Sequence, residues 1–142
     1  MKKMLFVVLG SVLLLSANAA PNRKVLNAFN ASFKKAENVK WEEFPDHYTV
    51  YFSWSGIRTT LHYDTEGNVI GSTRYYKPDQ LPLHLFNKLK KEYPDRELYG
   101  VTEVTVGDDV NYYVKMLDSK HWFTLLLYAA GNSRVYEKYK KG

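Results

Sequence analysis

The chain has 142 residues, of which 25% are charged and 45% hydrophobic, with a formal net charge of +5 and no cysteine. This length fits one ordinary domain stabilised by a packed core, and the absence of cysteine excludes both a disulfide scaffold and a lipid-modified cysteine. The lysines form short clusters beside apolar stripes, which is typical of solvated faces and not of a concentrated nucleic-acid-binding surface.

Residues 1–19 have the pattern of a secretory signal. Lys2 and Lys3 precede an apolar run that ends at Leu15, and Ala17 and Ala19 occupy the small-residue positions of an A-x-A cleavage site. The run is shorter than the ~20 apolar residues of a membrane-spanning helix. We therefore expect a cleaved signal peptide, no membrane span after cleavage, and a periplasmic or secreted bacterial protein.

The next segment has the pattern of one helix followed by four strands. Val25, Phe29 and Phe33 recur at helical spacing and predict an amphipathic helix over residues 23–36. Alternating runs between turn-forming residues predict strands at residues 39–44, 48–54, 57–63 and 69–76.

The same pattern follows a second time after Lys77. Leu81, Leu85 and Leu89 predict a helix over residues 81–92, with Asp79 as a candidate cap. Strands are predicted at residues 98–106, 110–117, 121–128 and 133–139. We therefore expect an α+β fold of two tandem copies, residues 20–77 and 78–142, each with one helix packed on a four-stranded antiparallel sheet.

An internal repeat supports this division. The segment from Tyr48 to Asn68 has the same order of features as the segment from Tyr112 to Asn132, at an offset of 64 or 65 residues. Such self-similarity is typical of a duplicated supersecondary unit.

The order of short motifs resembles a known family. Val25…Ala28-Phe29…Phe33…Val39-Lys40-Trp41, then Tyr63-Asp64…Gly67, then Leu81-Pro82 opening a helix that ends in Tyr93-Pro94, is similar to the PepSY-like, beta-lactamase-inhibitor-like family of exported bacterial proteins. The resemblance covers nearly the whole chain after the signal. It implies one compact domain, an inhibitor-like scaffold and a helix on one face of an antiparallel sheet in each copy.

The strand register, carried across by the repeat, predicts which side chains face the helix in the second copy. The predicted helix-facing set is Tyr112, Val114, Met116, Trp122, Thr124, Leu126 and Tyr128. The opposite face would then carry an apolar patch of a few hundred Å², near the limit for soluble monomers. The chain itself, a second copy or another protein, or a small apolar ligand could cover that patch.

Catalytic and metal-binding signatures are missing from the sequence. The histidines, His47, His62, His84 and His121, lack the i, i+4 spacing of a helical zinc site. The acidic residues lie on strands or in turns, and no G-x-S-x-G elbow occurs. We expect no enzyme, no cofactor and no metal.

The sequence therefore predicts an exported, non-enzymatic binding module, inhibitor-like in scaffold, that engages a protein partner or its own dimer mate through an outer sheet face. The alternative is a periplasmic carrier of a small apolar or aromatic ligand between sheet and helices. Nucleic acid is not an expected partner. The candidate contact residues are Tyr51, Tyr113, Leu117, Phe123, Leu125 and Leu127.

Overall fold

The structure, a computed structural model, describes residues 20–142. The predicted signal peptide at residues 1–19 lies outside the described residues. Within residues 20–142, neither helix is long and apolar enough to cross a membrane.

The chain folds as helix and meander, twice. Helix α1 (Arg23–Ser32) precedes strands β1 (Glu37–Glu43), β2 (His47–Trp54), β3 (Ile57–Asp64) and β4 (Val69–Tyr76). After a short 3-10 helix at Pro78–Gln80, helix α2 (Leu83–Glu92) precedes β5 (Glu97–Val106), β6 (Asp109–Leu117), β7 (His121–Tyr128) and β8 (Ser133–Lys140).

All eight strands form one antiparallel sheet in sequence order. The expectation of two separate four-stranded sheets is wrong, because β4 pairs with β5 from Gly71↔Val106 to Tyr76↔Val101. Pairing across the joint satisfies the backbone groups that two separate sheets would each have left unpaired at an edge. The mostly antiparallel α+β architecture with two helices is as predicted.

The helix ends differ from the predicted ones for local reasons. Asn22 caps α1 by accepting a hydrogen bond from the Val25 backbone N–H at 3.0 Å. Phe33 leaves the helical conformation, so α1 ends before the predicted boundary at residue 36. Pro82 takes the N-cap position of α2, and Asp79 lies in the 3-10 helix instead of capping.

Each helix covers its own half of the sheet with a separate apolar cluster. Val25 and Phe29 of α1 pack on a cluster that includes Val50, Phe52 and Tyr63. The second cluster lies beneath α2 and contains Leu81, Leu85, Leu89, Val101, Tyr112, Val114, Met116, Phe123, Leu125 and Leu127. These clusters fill the space between the helices and the sheet.

The register of β7 is shifted by one residue from the predicted one. Leu125 pairs with Val114, and both are fully buried on the helix side. Phe123, Leu125 and Leu127 therefore belong to the helix-packed core, and their assignment to an outer contact patch is wrong. Directly opposed residues of an antiparallel pair point to the same face, so once β6 is placed, the pairing fixes β7.

A polar group lies on the helix side where the two halves meet. Arg74 of β4 and Glu103 of β5 are opposed in register and form an ion pair at 3.3 Å. The Tyr76 hydroxyl donates a hydrogen bond to the same carboxylate at 2.6 Å. Burial, with the adjacent carboxylate, raises the pKa of Tyr76 well above its usual value of 10.0. These side chains link β4 to β5 between the two apolar clusters.

Candidate functional site: the outer face of the sheet

We call the sheet surface opposite the two helices the outer face. Because alternate residues of a strand point to opposite faces, the buried residues of β2 and β6 place Tyr51 and Tyr113 on the outer face. Leu117, at the end of β6, lies there beside its register partner Trp122. Three of the predicted contact residues thus lie on the outer face, whereas Phe123, Leu125 and Leu127 do not.

The structure does not bring Tyr51 and Tyr113 together. Strands β2 and β6 are four positions apart in the sheet, which corresponds to roughly 19 Å at about 4.8 Å per strand. The Tyr51 hydroxyl donates to Glu42 at 3.1 Å, and burial together with this hydrogen bond raises the pKa of Tyr51. Tyr113 instead packs edge-on against Tyr136, with ring centroids 5.3 Å apart.

A cleft of about 690 Å³ opens on the outer face, with Tyr113 in its lining and no residue of β2. A β-bulge between Leu98 and Gly100 turns Tyr99 onto this face, where its ring meets Trp122 edge-on at 5.3 Å. We call this opening the central cleft. Its side chains include Arg58, Tyr75, Lys77, Tyr99, Tyr113 and Lys115.

Cations of the central cleft lie over aromatic rings. The Arg58 guanidinium is 4.7 Å from the centre of the Tyr75 ring, and Lys77 Nζ is 5.5 Å from that of Tyr99. Lys115 Nζ lies 5.8 Å from the ring centre of Trp122. Each such contact contributes ~0.5–1 kcal/mol at an exposed site, enough to orient a long side chain without burying its charge.

Sequence reasoning missed most of this cleft. Tyr99 lies at a bulge, where simple alternation fails, and Trp122 was expected on the helix side by the shifted register. Arg58 lies on β3 and Lys115 on β6, and the cleft joins them through β4 and β5, whose pairing was not predicted. The available signal was the alternation of side chains along β3 and β6, which places Arg58 and Lys115 on the outer face.

Two histidines, His47 of β2 and His62 of β3, form a smaller cluster on the outer face. His62 Nδ1 is 2.8 Å from the Thr49 hydroxyl, and its ring centroid is 6.1 Å from that of His47. His47 Nδ1 is 2.6 Å from the Asp46 carboxylate. Burial, followed by the charge of His47, lowers the pKa of His62. Within residues 20–142, no group of three or more His, Cys, Asp or Glu side chains could hold a metal ion.

The fold and the outer face define the class of this protein: an eight-stranded antiparallel sheet backed by two helices, with an open aromatic and basic surface on its other side. Its solved neighbours share that architecture. A BLIP-like protein from Bacteroides fragilis has a TM-score of 0.62 at 14% identity, over 89% of this chain and 92% of that one. The BLIP-like fold is therefore confirmed.

Two further solved structures have the same fold. A candidate periplasmic protein from Bacteroides eggerthii has a TM-score of 0.60 at 16% identity, over 86% of this chain and 90% of that one. A DUF2874 family protein from Bacteroides ovatus has a TM-score of 0.61 at 16% identity, over 86% and 89%. The chain matches no protein-family model and no curated protein sequence. At these identities the likeness shows the fold alone, and the PepSY-like assignment stays a prediction.

Proposed function

We propose that this protein is an exported, non-enzymatic binding module whose outer face engages a protein partner or a second copy of the chain. The single observation that carries the proposal is the set of half-exposed aromatic side chains on that face. Tyr99 is 53% exposed, Tyr136 49%, Tyr75 40% and Tyr51 39%. Tyrosine and tryptophan dominate contact hot spots, because they offer large rigid area and a polar tip at low entropic cost.

The export of the protein is part of the same proposal. The signal-like pattern of residues 1–19 supports it, and so does the candidate periplasmic neighbour, whose fold this chain shares. An inhibitory role is suggested by the BLIP-like neighbour. Since a fold hosts many functions and side chains select the partner, the enzyme or receptor that it binds has to be identified by experiment.

The ligand-carrier alternative receives less support from the packing. A carrier of the predicted kind would hold its ligand between sheet and helices, where Phe29, Leu85 and Leu89 are buried in the two apolar clusters. The central cleft of about 690 Å³ lies on the outer face, whereas a smaller cavity of about 270 Å³ lies beside α2 and is lined by Phe86, Lys90 and Leu98. Contact with a macromolecule fits an open surface of that kind better than enclosure of a small apolar molecule.

The test is affinity capture from periplasmic extract with the secreted chain, its double variant Tyr99→Ala/Tyr113→Ala, and Leu83→Ala as matched control. Leu83 is the most exposed large apolar side chain of the described residues, at 72%, and it lies on α2. Wild type and Leu83→Ala should retain the same captured protein, and the double variant should lose it with unchanged circular dichroism.

Sedimentation of the pure chain provides the second arm of the test. If the partner is another copy, wild type and Leu83→Ala sediment as dimers and the tyrosine double variant as a monomer. Capture that survives the double variant, together with a monomeric wild type, would refute the role of the outer face.

A further inference from the structure

The charges of the central cleft all have the same sign. Its side chains supply three cations, Arg58, Lys77 and Lys115, and its lining includes no aspartate or glutamate. All three cations are exposed to solvent. The cleft is therefore a concave surface whose charged side chains are all cations, which gives it a positive potential.

These cations also differ from others of the chain in lacking ion pairs. Lys40, Arg74 and Lys88 each form an ion pair with a glutamate. Within residues 20–142, Arg58, Lys77 and Lys115 form none and lie over aromatic rings instead. Their donors are thus oriented by the rings and free for an external acceptor.

The tyrosines of the cleft extend this set of donors. Tyr75 and Tyr99 are about half exposed, and both carry hydroxyl groups beside the cations. A carboxylate accepts up to four hydrogen bonds, and a guanidinium matches it in a two-bond fork. Arginine with tyrosine is also the combination enriched at protein contact hot spots.

We propose that the central cleft receives an acidic segment of the protein partner, with Arg58, Lys77 and Lys115 binding its aspartate or glutamate side chains. This inference rests on the proposed function and specifies the chemistry of the partner. A folded nucleic acid fits less well, since the carboxylates of Glu42 and Glu137 lie on the same outer face and would repel a phosphate backbone. The open shape of the cleft favours a protruding loop over a free small anion.

The direct test measures binding of a fluorescein-labelled peptide of alternating glutamate and tyrosine by fluorescence anisotropy. The comparison peptide has every glutamate replaced by glutamine. Wild type should bind the acidic peptide at least about ten-fold more tightly than the amide peptide, and raising salt should weaken that binding because exposed charges are screened over about 8 Å at physiological ionic strength.

The variant that removes the cleft charges is Arg58→Gln/Lys77→Gln/Lys115→Gln. Its matched control, Lys34→Gln/Lys35→Gln/Lys91→Gln, removes the same net charge from exposed positions outside the cleft. The cleft variant should lose at least about ten-fold in affinity for the acidic peptide, whereas the control should change it by less than about two-fold. Circular dichroism should be unchanged in both.

Several results would overturn the inference. They are equal binding of acidic and amide peptides, no binding of either, equal loss in both triple variants, and tighter binding of a single-stranded oligonucleotide or of inorganic phosphate. Affinity capture distinguishes failure of this inference from failure of the proposed function, because the captured partner can be tested with both sets of variants. A partner that is lost with Tyr99→Ala/Tyr113→Ala but retained by the charge variant would leave the binding face in place and refute its acidic specificity.

Discussion

Replacing Leu125 by alanine tests the side of the sheet to which β7 directs its apolar residues. Leu125 is fully buried, lies opposite Val114 and belongs to the cluster with Leu85 and Leu89 beneath α2. Leucine-to-alanine changes in such cores cost ~2–5 kcal/mol, because transfer energy is lost and a cavity remains. We expect a loss of about 3 kcal/mol in the free energy of unfolding for this enclosed position.

Urea unfolding followed by circular dichroism measures this loss. With a denaturant slope of about 2 kcal/mol per molar urea, the midpoint should fall by about 1.5 M. Thr124→Ala is the control, since Thr124 is the preceding residue on the outer face, and its midpoint should move by at most about 0.3 M. A Leu125→Ala midpoint equal to that of wild type, with loss of partner binding, would return Leu125 to the outer face and refute the register.

The remaining predictions concern turns, tyrosines and a histidine. Gly67→Ala and Gly131→Ala should both lower stability, because both positions have a left-handed backbone (φ +91° and +99°). In thermal unfolding Gly67→Ala should lower the midpoint more, because only its new Cβ would meet the backbone of α1, at 3.0 Å. Equal losses in the two variants would contradict that contact. Tyr76→Phe should lower the free energy of unfolding by about 1–2 kcal/mol at neutral pH, because it removes a hydrogen bond to a carboxylate. Tyr63→Phe should be neutral or slightly stabilising, because the buried Tyr63 hydroxyl has no partner among the described residues. The reverse order of stability in urea unfolding would refute these assignments. The raised pKa of Tyr76 further predicts stability that is present below pH 10 and is lost as pH rises above it, a decline that Tyr76→Phe should flatten. The lowered pKa of His62 predicts stability that is present above pH 6.5 and is lost as pH falls below it. His62→Gln should therefore reduce the dependence of the urea midpoint on pH in this range. An unchanged pH dependence would exclude His62 as its source.

Local signals predicted the elements of this fold well. Both helices follow from apolar residues at helical spacing, and all eight strands follow from alternation between turns. The ends moved where a single residue changes the backbone, as at Phe33 after α1 and Pro82 before α2. These signals are readable because they depend on neighbours within a few positions along the chain.

The pairing between strands was harder to predict from the sequence than the strands themselves. The β4–β5 ladder joins strands separated by α2, and no local pattern of either strand indicates its partner. The register predicted for β7 is wrong because an offset of 65 makes Tyr63 equivalent to Tyr128. In the structure Tyr48 pairs with Tyr63 and Tyr112 pairs with Leu127, so Tyr63 is equivalent to Leu127 at an offset of 64. The central cleft draws side chains from several strands, so it could be assembled only once both pairings were known.

Across β2–β3 and β6–β7, an offset of 64 residues relates equivalent positions, as the pairs Val50↔Leu61 and Val114↔Leu125 show. On the helix side several equivalent positions are apolar in both halves, as in Val50 and Val114 or Leu61 and Leu125, although the buried Thr59 is equivalent to Phe123. On the outer face some equivalents differ, from Thr49 to Tyr113, from Tyr51 to Lys115 and from His62 to Leu126, whereas Thr60 and Thr124 are identical. Packing beneath a helix favours apolar side chains in both halves, whereas a solvated face does not constrain polarity in this way. Tyr113 and Lys115 line the central cleft, whereas their equivalents Thr49 and Tyr51 do not. Binding is therefore sought on this part of the outer face and not in the packed core beneath the helices.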